Sequence, residues 1–329
     1  MKRPLAQIVG VGHAHPVRAM MNSEFPSIGI DTSDEWIVDR TGIQQRYIAG
    51  PGETVASLSA EAARIAMERA GVTAPELDAI VLATSTPDRL LPSTAVELQA
   101  LLGASRAAAF DVAAACAGWI FALNVAEGLL AAGSVETVLV VGGEKMSTII
   151  NWKDRATCVL FGDGAGAAVL KRSRHHKGLL SIYTRSDGAL SNLLQRPRGG
   201  STEPVTPEMV ANSGHLVTMA GRETFKHAVR SMAEACERAL DEAKLSAADV
   251  DLLIPHQANV RIIEATAKHA GLSMERVFVN VDKYGNTSAA SIPIALDEAI
   301  AEGRVKEGSI VLFVAFGAGL TWASAIHRF

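Results

Sequence analysis

Residues 107–143, AAAFDVAAACAGWIFALNVAEGLLAAGSVETVLVVGG, have the pattern of a strand, a turn, a long helix and a second strand. Residues 275–315, ERVFVNVDKYGNTSAASIPIALDEAIAEGRVKEGSIVLFVA, repeat that order with only small gaps. Upstream of each copy, residues 70–84 (AGVTAPELDAIVLAT) and 243–257 (AKLSAADVDLLIPHQ) match as a helix end, a short turn and a strand. The chain therefore contains two copies of one α/β unit.

The duplication also predicts where the chain divides. Asp78 and Asp251 occupy equivalent positions 173 residues apart, which is about half of the 329 residues. We therefore expect an N-terminal half over residues 1–174 and a C-terminal half over residues 175–329. Hydrophobic residues make up 48% of the chain and aromatic ones only 5%, so aliphatic side chains and alanine are expected to form a large core.

Charge and cysteine usage exclude several classes of protein. The formal net charge is −4 with no long run of either sign, which argues against a protein that binds nucleic acid or a membrane surface. We expect no secretory signal, and no stretch long and apolar enough to span a bilayer. The three cysteines are far apart, without metal-ligand or paired spacing, so we expect a reduced, cytoplasmic compartment and no disulfide framework.

One cysteine falls at a position suited to chemistry. Cys116 lies where a strand feeds a helix, and in the repeat alignment Asn286 occupies the corresponding place. The N-terminus of a helix offers free N–H groups and a positive dipole end, which would lower the pKa of the thiol. His256 directly follows a strand of the second copy, so all three side chains are expected at the carboxyl ends of strands, where α/β sheets bind ligands.

Each of these residues also has an ordinary structural interpretation. An isolated cysteine is most often a small core residue, a histidine after a proline is commonly a loop residue, and Asn286 could simply cap the following helix. The glycine-bearing stretch FGDGAGAAVL (161–170) is better interpreted as a tight turn between strands than as a cradle for a carbonyl. It does not have the spacing of a phosphate-binding loop or a dinucleotide fingerprint.

Six motifs in order together resemble the β-ketoacyl-acyl carrier protein synthase III group of condensing enzymes, which have the thiolase fold. The motifs are TSDEWIVDRTGIQQRYIA (32–49), ACAGW (115–119), FGDGAGAAVL (161–170), PHQANVRI (255–262), YGNTSAAS (284–291) and FGAGLTW (316–322). The resemblance runs essentially end to end. It implies a thiolase-like, duplicated αβαβα five-layer fold and a homodimer.

The resemblance also implies roles for the three polar residues. Cys116 would carry the acyl group of an acyl-coenzyme A primer, and its own N–H and the backbone of Ala318 would form the oxyanion hole. His256 and Asn286 would stabilise the enolate left when a malonyl thioester loses CO₂, because both donate hydrogen bonds. The family usually has three glycines where this chain has Gly-Ala-Gly, so Ala318 narrows the backbone angles allowed there.

The implied activity is the decarboxylative condensation of an acyl-coenzyme A with malonyl-acyl carrier protein, which initiates fatty-acid synthesis. The same triad would serve a related enzyme of specialised metabolism that makes ketides or transfers an acyl group to oxygen or nitrogen. A degradative thiolase is disfavoured, because its second cysteine would be expected in the C-terminal FGAG segment (316–319), where none occurs. No metal and no resident cofactor are implied, since coenzyme A is part of the substrate.

The resemblance places the coenzyme A site at Trp36, Arg40, Arg155 and Asn259. An aromatic surface with guanidinium groups suits an adenine and several phosphates. Without the resemblance, a buried aromatic residue and a solvated basic face would be the preferred interpretation.

Two further sites follow from the resemblance. Acyl carrier protein is acidic, so a chain of net charge −4 needs a local basic patch, for which Lys226, Arg261 and Lys268 match the family positions. Leu91 stands where some members have an aromatic residue that closes the acyl pocket from the dimer partner. The smaller leucine leaves the length and branching of the primer open.

Overall fold

The computed structural model describes residues 6–173 and 177–329. Within these ranges the strands are β1 (Ala6–Ala14), β2 (Ala19–Met21), β3 (Gln45–Tyr47), β4 (Ala79–Ala83), β5 (Ala108–Val112), β6 (Thr137–Lys145), β7 (Asp163–Arg172), β8 (Gly178–Ser186), β9 (Leu194–Gln195), β10 (Thr218–Met219), β11 (Leu252–Pro255), β12 (Ile310–Gly317) and β13 (Thr321–Arg328). The α-helices are α1 (Asp34–Thr41), α2 (Val55–Ala70), α3 (Thr94–Leu102), α4 (Gly118–Ala132), α5 (Arg155–Cys158), α6 (Pro207–Ala211), α7 (Gly221–Ala243), α8 (Val260–His269), α9 (Val281–Tyr284) and α10 (Ser291–Ala301).

Two mixed sheets form the centre of the molecule. The first has the strand order β1-β7-β6-β4-β5, in which β4 runs parallel to β5 and β6, and β7 runs antiparallel to β6 and β1. The second has the order β11-β12-β13-β8, with β11 parallel to β12 and β13 antiparallel to both of its neighbours. The predicted boundary at residues 174 and 175 lies outside the described residues, so the division into two halves stays a prediction.

Hydrogen bonds at the start of two strands confirm the repeat. The carboxylate of Asp78 accepts the N–H of Thr137 at 3.0 Å, and its own N–H donates to the Thr137 carbonyl at 3.0 Å. Asp251 makes the same pair of bonds with Ile310, at 2.8 and 2.9 Å. The two aspartates, equivalent in sequence, therefore fix β4 against β6 and β11 against β12 in the same way.

Three buried apolar clusters lie between the layers of helices and sheets. One lies between α2, α3 and the outer face of the first sheet, and another between α7, α8 and the outer face of the second. The central cluster lies between the two sheets and contains α4 and α10, with Trp119 packed edge-on against Phe313 at 5.5 Å between ring centroids. The order helix, sheet, helix, sheet, helix confirms the predicted five-layer fold.

The central helix corrects one expectation. The stretch Ala115–Ala132 is long and apolar enough, by length and composition, to cross a membrane, so the expectation that the chain contains no such stretch was wrong. Its apolar character has a local cause, because α4 packs against strands of both sheets and most of its side chains contact other apolar groups.

Glycines set the distance between helices and sheets. A Cβ on Gly142 of β6 would lie 2.3 Å from the carbonyl oxygen of Ala289, and one on Gly166 of β7 would lie 2.7 Å from the Cβ of Pro293 in α10. Most of the stretch 161–170 therefore lies in the internal strand β7, and the expectation of a tight turn was wrong. Its glycines allow a helix to pack closely against the sheet.

We predict that Gly142→Ala destabilises the protein by about 1–3 kcal/mol or more, because the added methyl group meets backbone that cannot rotate away. Chemical denaturation measures the change. Gly128→Ala is the matched control, since Gly128 lies in α4 with nothing within 4 Å of an added Cβ. It should stabilise the protein by about 0.5–1 kcal/mol. Equal effects of the two substitutions would contradict the close contact.

Candidate active site

Cys116 lies on a strained turn between β5 and α4. Ala115 has a φ of +46°, a conformation that L-residues rarely adopt, and Ala115–Ala117 form one 3₁₀ turn ahead of the helix. The second copy repeats this turn, with Ser288 at φ +50° and a 3₁₀ turn ahead of α10. Strained residues of this kind persist where surrounding packing holds them, often at functional sites.

The two strained residues fix the true alignment of the repeats. Ala115 matches Ser288, so Cys116 corresponds to Ala289. The prediction that Cys116 and Asn286 share one repeat position was therefore wrong by three residues. The offset of 173 residues between Asp78 and Asp251 holds at this turn as well, although the second copy has the short helix α9 where the first has strand β5. The structure nevertheless places the two side chains on the same cavity.

One cavity unites the three predicted catalytic residues. Cys116, His256 and Asn286 all line a space of about 680 Å³ that is open to solvent. The remaining wall is mostly apolar and comes chiefly from α7, α8 and the ends of nearby strands, including Phe225, Met232, Ile262 and Phe316. Cys116 follows β5 and His256 follows β11, but Asn286 follows the short helix α9, so the expectation that all three side chains lie at the carboxyl ends of strands was wrong for Asn286.

Burial determines the charge state of His256. Its ring lies directly after β11, almost fully buried, with Nδ1 2.7 Å from Oγ of Ser291. Burial lowers the pKa of His256 to about 3, since the surrounding protein disfavours the charged form. The imidazole is therefore neutral at pH 7 and has one N–H to donate.

Asn286 is held by both its side chain and its main chain. Its Oδ1 accepts the N–H of Ser288 at 2.9 Å, while its main-chain N–H donates to Leu160 at 2.8 Å. Asn286 is therefore not a helix cap, because α10 begins after Ala290 without a side-chain cap, and its Oδ1 instead stabilises the turn at Ser288. This bond leaves the catalytic interpretation intact, because the occupied atom is the carbonyl oxygen and the amide nitrogen stays the donor end.

The thiol of Cys116 is not activated in the way its position suggested. Burial raises its pKa to about 12, and the nearby carboxyl group of Glu144 adds to that rise. The expectation of a lowered pKa at a helix N-terminus was therefore wrong for the free protein. Desolvation of a side chain only 8% exposed outweighs the helix dipole.

Glu144 is a buried carboxylate that sequence reasoning missed. It accepts hydrogen bonds from Oγ1 of Thr86 at 2.6 Å, from Oγ of Ser288 at 2.9 Å and from the N–H of Ser85 at 3.1 Å. Burial raises the pKa of the Glu144 carboxyl. The available signal was its place in VVGGEK (140–145), where an acidic residue ends a run of buried strand residues.

A second, mostly apolar cavity of about 520 Å³, part of it open to solvent, also borders Cys116 and shares Phe161 and Leu194 with the first. Met146, Ile149, Phe161, Leu194 and Val217 provide most of its apolar wall, and Ala318 also borders it. Leu91 does not line this cavity and is 86% exposed. Its predicted role, which requires it to reach a partner subunit, stays a prediction.

The predicted oxyanion-hole groups lie along one wall. A Cβ on Gly317 would be 2.6 Å from the nitrogen of Cys116, which shows how closely the two main chains approach. The hydroxyl of Thr321 lies 2.9 Å from the carbonyl of Ala114 and 3.1 Å from that of Ala318, so it ties the two segments together. Ala318 is thereby held beside Cys116.

The predicted coenzyme A residues gather around one indole ring. The guanidinium carbons of Arg155 and Arg40 lie 4.6 and 5.6 Å from the ring centroid of Trp36. Asn259 caps α8, where its Oδ1 accepts the N–H groups of Arg261 and Ile262, and it lines the larger cavity.

The predicted docking cations already have acidic neighbours. Arg261 of α8 bonds to Asp39 of α1 at 3.2 Å, and Lys226 bonds to Glu223 at 2.9 Å. Exposed pairs of this kind contribute little to stability, so they leave the cations available to another partner. Lys268 lies in the last turn of α8 and is exposed.

Known proteins share both the sequence and the fold. Residues 110–188 match the family described as 3-oxoacyl-(acyl-carrier-protein) synthase III, and residues 240–329 match its C-terminal part. A β-ketoacyl-(acyl-carrier-protein) synthase III of Roseiflexus sp. (strain RS-1) is 51% identical over 323 residues, 98% of each chain. The chain belongs to the β-ketoacyl-acyl-carrier-protein synthase III family.

Solved structures of the synthase III family agree with this assignment. The 3-oxoacyl-(acyl-carrier-protein) synthase III of Aquifex aeolicus VF5 superposes with a TM-score of 0.92 at 46% identity, covering 98% of this chain and 100% of that one. The priming β-ketosynthase of the R1128 polyketide pathway gives 0.91 at 36% identity, covering 99% and 97%. The resemblance seen in the six motifs is confirmed.

Two buried histidines predict a loss of stability in acid. Burial lowers the pKa of His256 and of His327 to about 3, below the ordinary value near 6.5. Their contribution is complete above the unfolded pKa and is lost as the pH falls from about 6.5 towards 3. For each histidine we expect the free energy of unfolding to fall by about 1 kcal/mol per pH unit in that range.

Denaturation between pH 7.5 and 5.5 measures this effect. In His256→Gln the free energy of unfolding should fall less steeply with decreasing pH, because one of the two buried histidines is gone. In His269→Gln, where the replaced residue is exposed, the slope should equal that of the wild type. The comparison between variants isolates the histidines from the buried carboxyls of Glu144 and Asp163, whose pKa values burial raises and which act in the opposite sense. Parallel curves for wild type and His256→Gln would contradict the prediction.

Proposed function

We propose that the chain condenses an acyl-coenzyme A primer with malonyl-acyl carrier protein, releasing CO₂ and coenzyme A and giving a β-ketoacyl-acyl carrier protein. This is the first condensation of fatty-acid synthesis. Membership of the synthase III family supports the reaction. The observation that carries it is the meeting of Cys116, His256 and Asn286 on one cavity, with a second, mostly apolar cavity also bordered by the cysteine.

In the first half-reaction the sulfur of Cys116 attacks the thioester carbonyl carbon of the primer. The S–H proton passes to the sulfur of coenzyme A as that C–S bond breaks. Negative charge on the carbonyl oxygen would be stabilised by the N–H groups of Cys116 and Ala318, which lie along one wall. The acyl chain then occupies the apolar cavity of about 520 Å³.

In the second half-reaction the malonyl thioester loses CO₂, and the electrons of the broken C–C bond form an enolate. Neutral His256 and the amide of Asn286 donate hydrogen bonds to the enolate oxygen. The enolate carbon attacks the acyl carbonyl carbon, and the Cys116 thiolate leaves and takes up a proton. A carboxylate at either donor position would repel the enolate, so the residue types suit the step.

Asn259 on the larger cavity, together with Trp36, Arg40 and Arg155, would hold coenzyme A, with the adenine against the indole. Arg155 lies over that ring at 4.6 Å, a distance that leaves no room for a base between them, so adenine would stack there only if Arg155 moved. Lys226, Arg261 and Lys268 would meet the acidic carrier protein. These assignments extend the family resemblance to individual residues.

A homodimer would cover an unpaired edge of the first sheet. Strand β5 ends that sheet with an unpaired side, and edges of this kind are usually covered. Leu90 and Leu91 are about nine-tenths exposed, an unusual state for two adjacent leucines. Pairing with a second copy would cover both features and bring Leu91 to a partner's primer cavity. The three free cysteines are compatible with a cytoplasmic location.

Acylation of the nucleophile tests the proposed function. Incubation with acetyl-coenzyme A or a longer primer should add one acyl mass to the wild type, and Cys116→Ala should abolish both this label and condensation. Cys236→Ala is the matched control, since Cys236 is equally buried but lies in α7 away from the cavity. Labelling retained in Cys116→Ala would overturn the assignment.

The donor role of Asn286 predicts a split between half-reactions. Asn286→Asp keeps the oxygen that accepts the N–H of Ser288 but removes the donor and adds negative charge. We expect substantial acylation of Cys116 and a loss of malonyl decarboxylation by about 10²-fold or more. Separate assays of primer transfer and of CO₂ release measure the two steps. Equal losses in both would count against this role.

The R1128 relative favours one alternative, a priming ketosynthase of specialised metabolism. Both reactions use the same triad, so the site does not separate them. The relatives at 46–51% identity carry the name of the fatty-acid enzyme, which supports the first reaction. A comparison of malonyl-acyl carrier proteins from the two kinds of pathway as acceptors distinguishes them.

A further inference from the structure

Ser291, the first residue of α10, contacts the ring of His256. The hydroxyl is 2% exposed and lies 2.7 Å from Nδ1 of the imidazole. The main-chain N–H of Gln257 donates to the same oxygen at 3.4 Å. The hydroxyl therefore lies between a group that can only donate and a ring nitrogen whose role depends on its proton.

The number of protons decides between the two tautomers of His256. A serine hydroxyl has one hydrogen, and the N–H of Gln257 cannot accept it. If Nδ1 of His256 carried the ring hydrogen, the Ser291 hydroxyl would face two donors, Nδ1–H and the N–H of Gln257. The buried hydrogen of the hydroxyl would then lack an acceptor among these contacts, which is unfavourable. The hydroxyl hydrogen is therefore directed at Nδ1, and the ring hydrogen of the neutral imidazole lies on Nε2.

We propose that Ser291 is a positioning residue that holds His256 in the tautomer with its hydrogen on Nε2, the atom that faces the reacting oxygen. The link to catalysis rests on the proposed function, in which His256 donates to the enolate. With the hydrogen on Nδ1, a nitrogen lone pair would meet the enolate and repel it. Ser291 thus acts through His256 and does not itself touch the substrate.

A second buried histidine provides an internal comparison. Nε2 of His327 accepts the N–H of Ile8 at 3.0 Å, and Nδ1 has no hydrogen-bond partner in the described structure. This ring therefore carries its hydrogen on Nδ1. The chain holds two neutral, buried histidines in opposite tautomers, each fixed by one neighbour.

The tautomers are measured directly in protein labelled with ¹⁵N in the histidine rings. Long-range ¹H–¹⁵N correlation spectra at pH 7 distinguish the two forms, and His256→Gln assigns the resonances. We expect Nε2–H for His256 and Nδ1–H for His327. In Ser291→Ala the pattern of His256 should shift towards a mixture while that of His327 is unchanged. A wild-type His256 with its hydrogen on Nδ1 would overturn the proposal whatever the enzyme's activity.

Half-reaction assays test the consequence. Ser291→Ala should slow decarboxylation of malonyl-acyl carrier protein by about 10- to 100-fold, while acylation of Cys116 changes by less than about 3-fold. Ser291→Thr, which keeps the hydroxyl, should recover most of the rate. Ser324→Ala is the matched control, because Ser324 has a fully buried hydroxyl bonded to the Ala235 carbonyl at 2.6 Å, on β13.

The outcomes separate the two proposals. If Ser291→Ala slows both half-reactions equally with the tautomer unchanged, its role is only structural and the positioning role is refuted. If the wild type shows no acylation of Cys116, the proposed function fails, yet the spectra still decide the tautomer. A shifted tautomer with unchanged decarboxylation would refute the link between Ser291 and catalysis.

Discussion

The contact on which this structure depends is that of Gly142 with the carbonyl of Ala289. It allows the turn ahead of α10 to lie directly on a strand of the first sheet, since any side chain on Gly142 would overlap backbone. The turn ahead of α4 is packed equally tightly, with Gly317 against the nitrogen of Cys116. Both helices therefore begin at the centre of the molecule between the two sheets, and the reactive groups gather there because the glycines let the main chains meet.

The turns ahead of α4 and α10 are equivalent, but they contact different chemical groups. At the second turn the N–H of Ala289 and the hydroxyl of Ser288 donate to the carboxyl group of Glu144, so this turn binds a carboxyl oxygen of the protein itself. Glu144 lies 173 residues before Gly317, which approaches the equivalent Cys116 and has no side chain. We infer that the first turn retains the same capacity to bind an oxygen atom and that, on the proposed function, the thioester oxyanion uses it. One geometry would then serve packing in one half and chemistry in the other.

Sequence reasoning recovered the features encoded by local pattern or by the repeat. Asp78 and Asp251 were paired correctly because their spacing follows the duplication, and Cys116 was singled out because it interrupts a run of alanines at a strand end. The alignment of Cys116 with Asn286 failed although the offset of 173 residues between Asp78 and Asp251 pairs Cys116 with Ala289, because the similar polar turn residues of the second copy suggested a different register. Glu144 and Ser291 were missed for a different reason, since their partners come from distant segments.

The raised pKa of Cys116 agrees with the inference that its turn stabilises negative charge on a thioester oxygen. A thiol with a pKa near 12 is protonated at pH 7, so the free protein does not hold a thiolate, the form that oxidants and alkylating agents attack. Desolvation is the main cause of the raised pKa. It raises the free energy of an isolated thiolate, but not that of a charge that moves between neighbouring groups. On the proposed function, the attacking sulfur would share its charge with the thioester carbonyl oxygen beside the N–H groups of Cys116 and Ala318, and its proton would leave with coenzyme A. The substrate would therefore supply what the resting site lacks, and the same burial that protects the thiol would strengthen every hydrogen bond to the oxyanion.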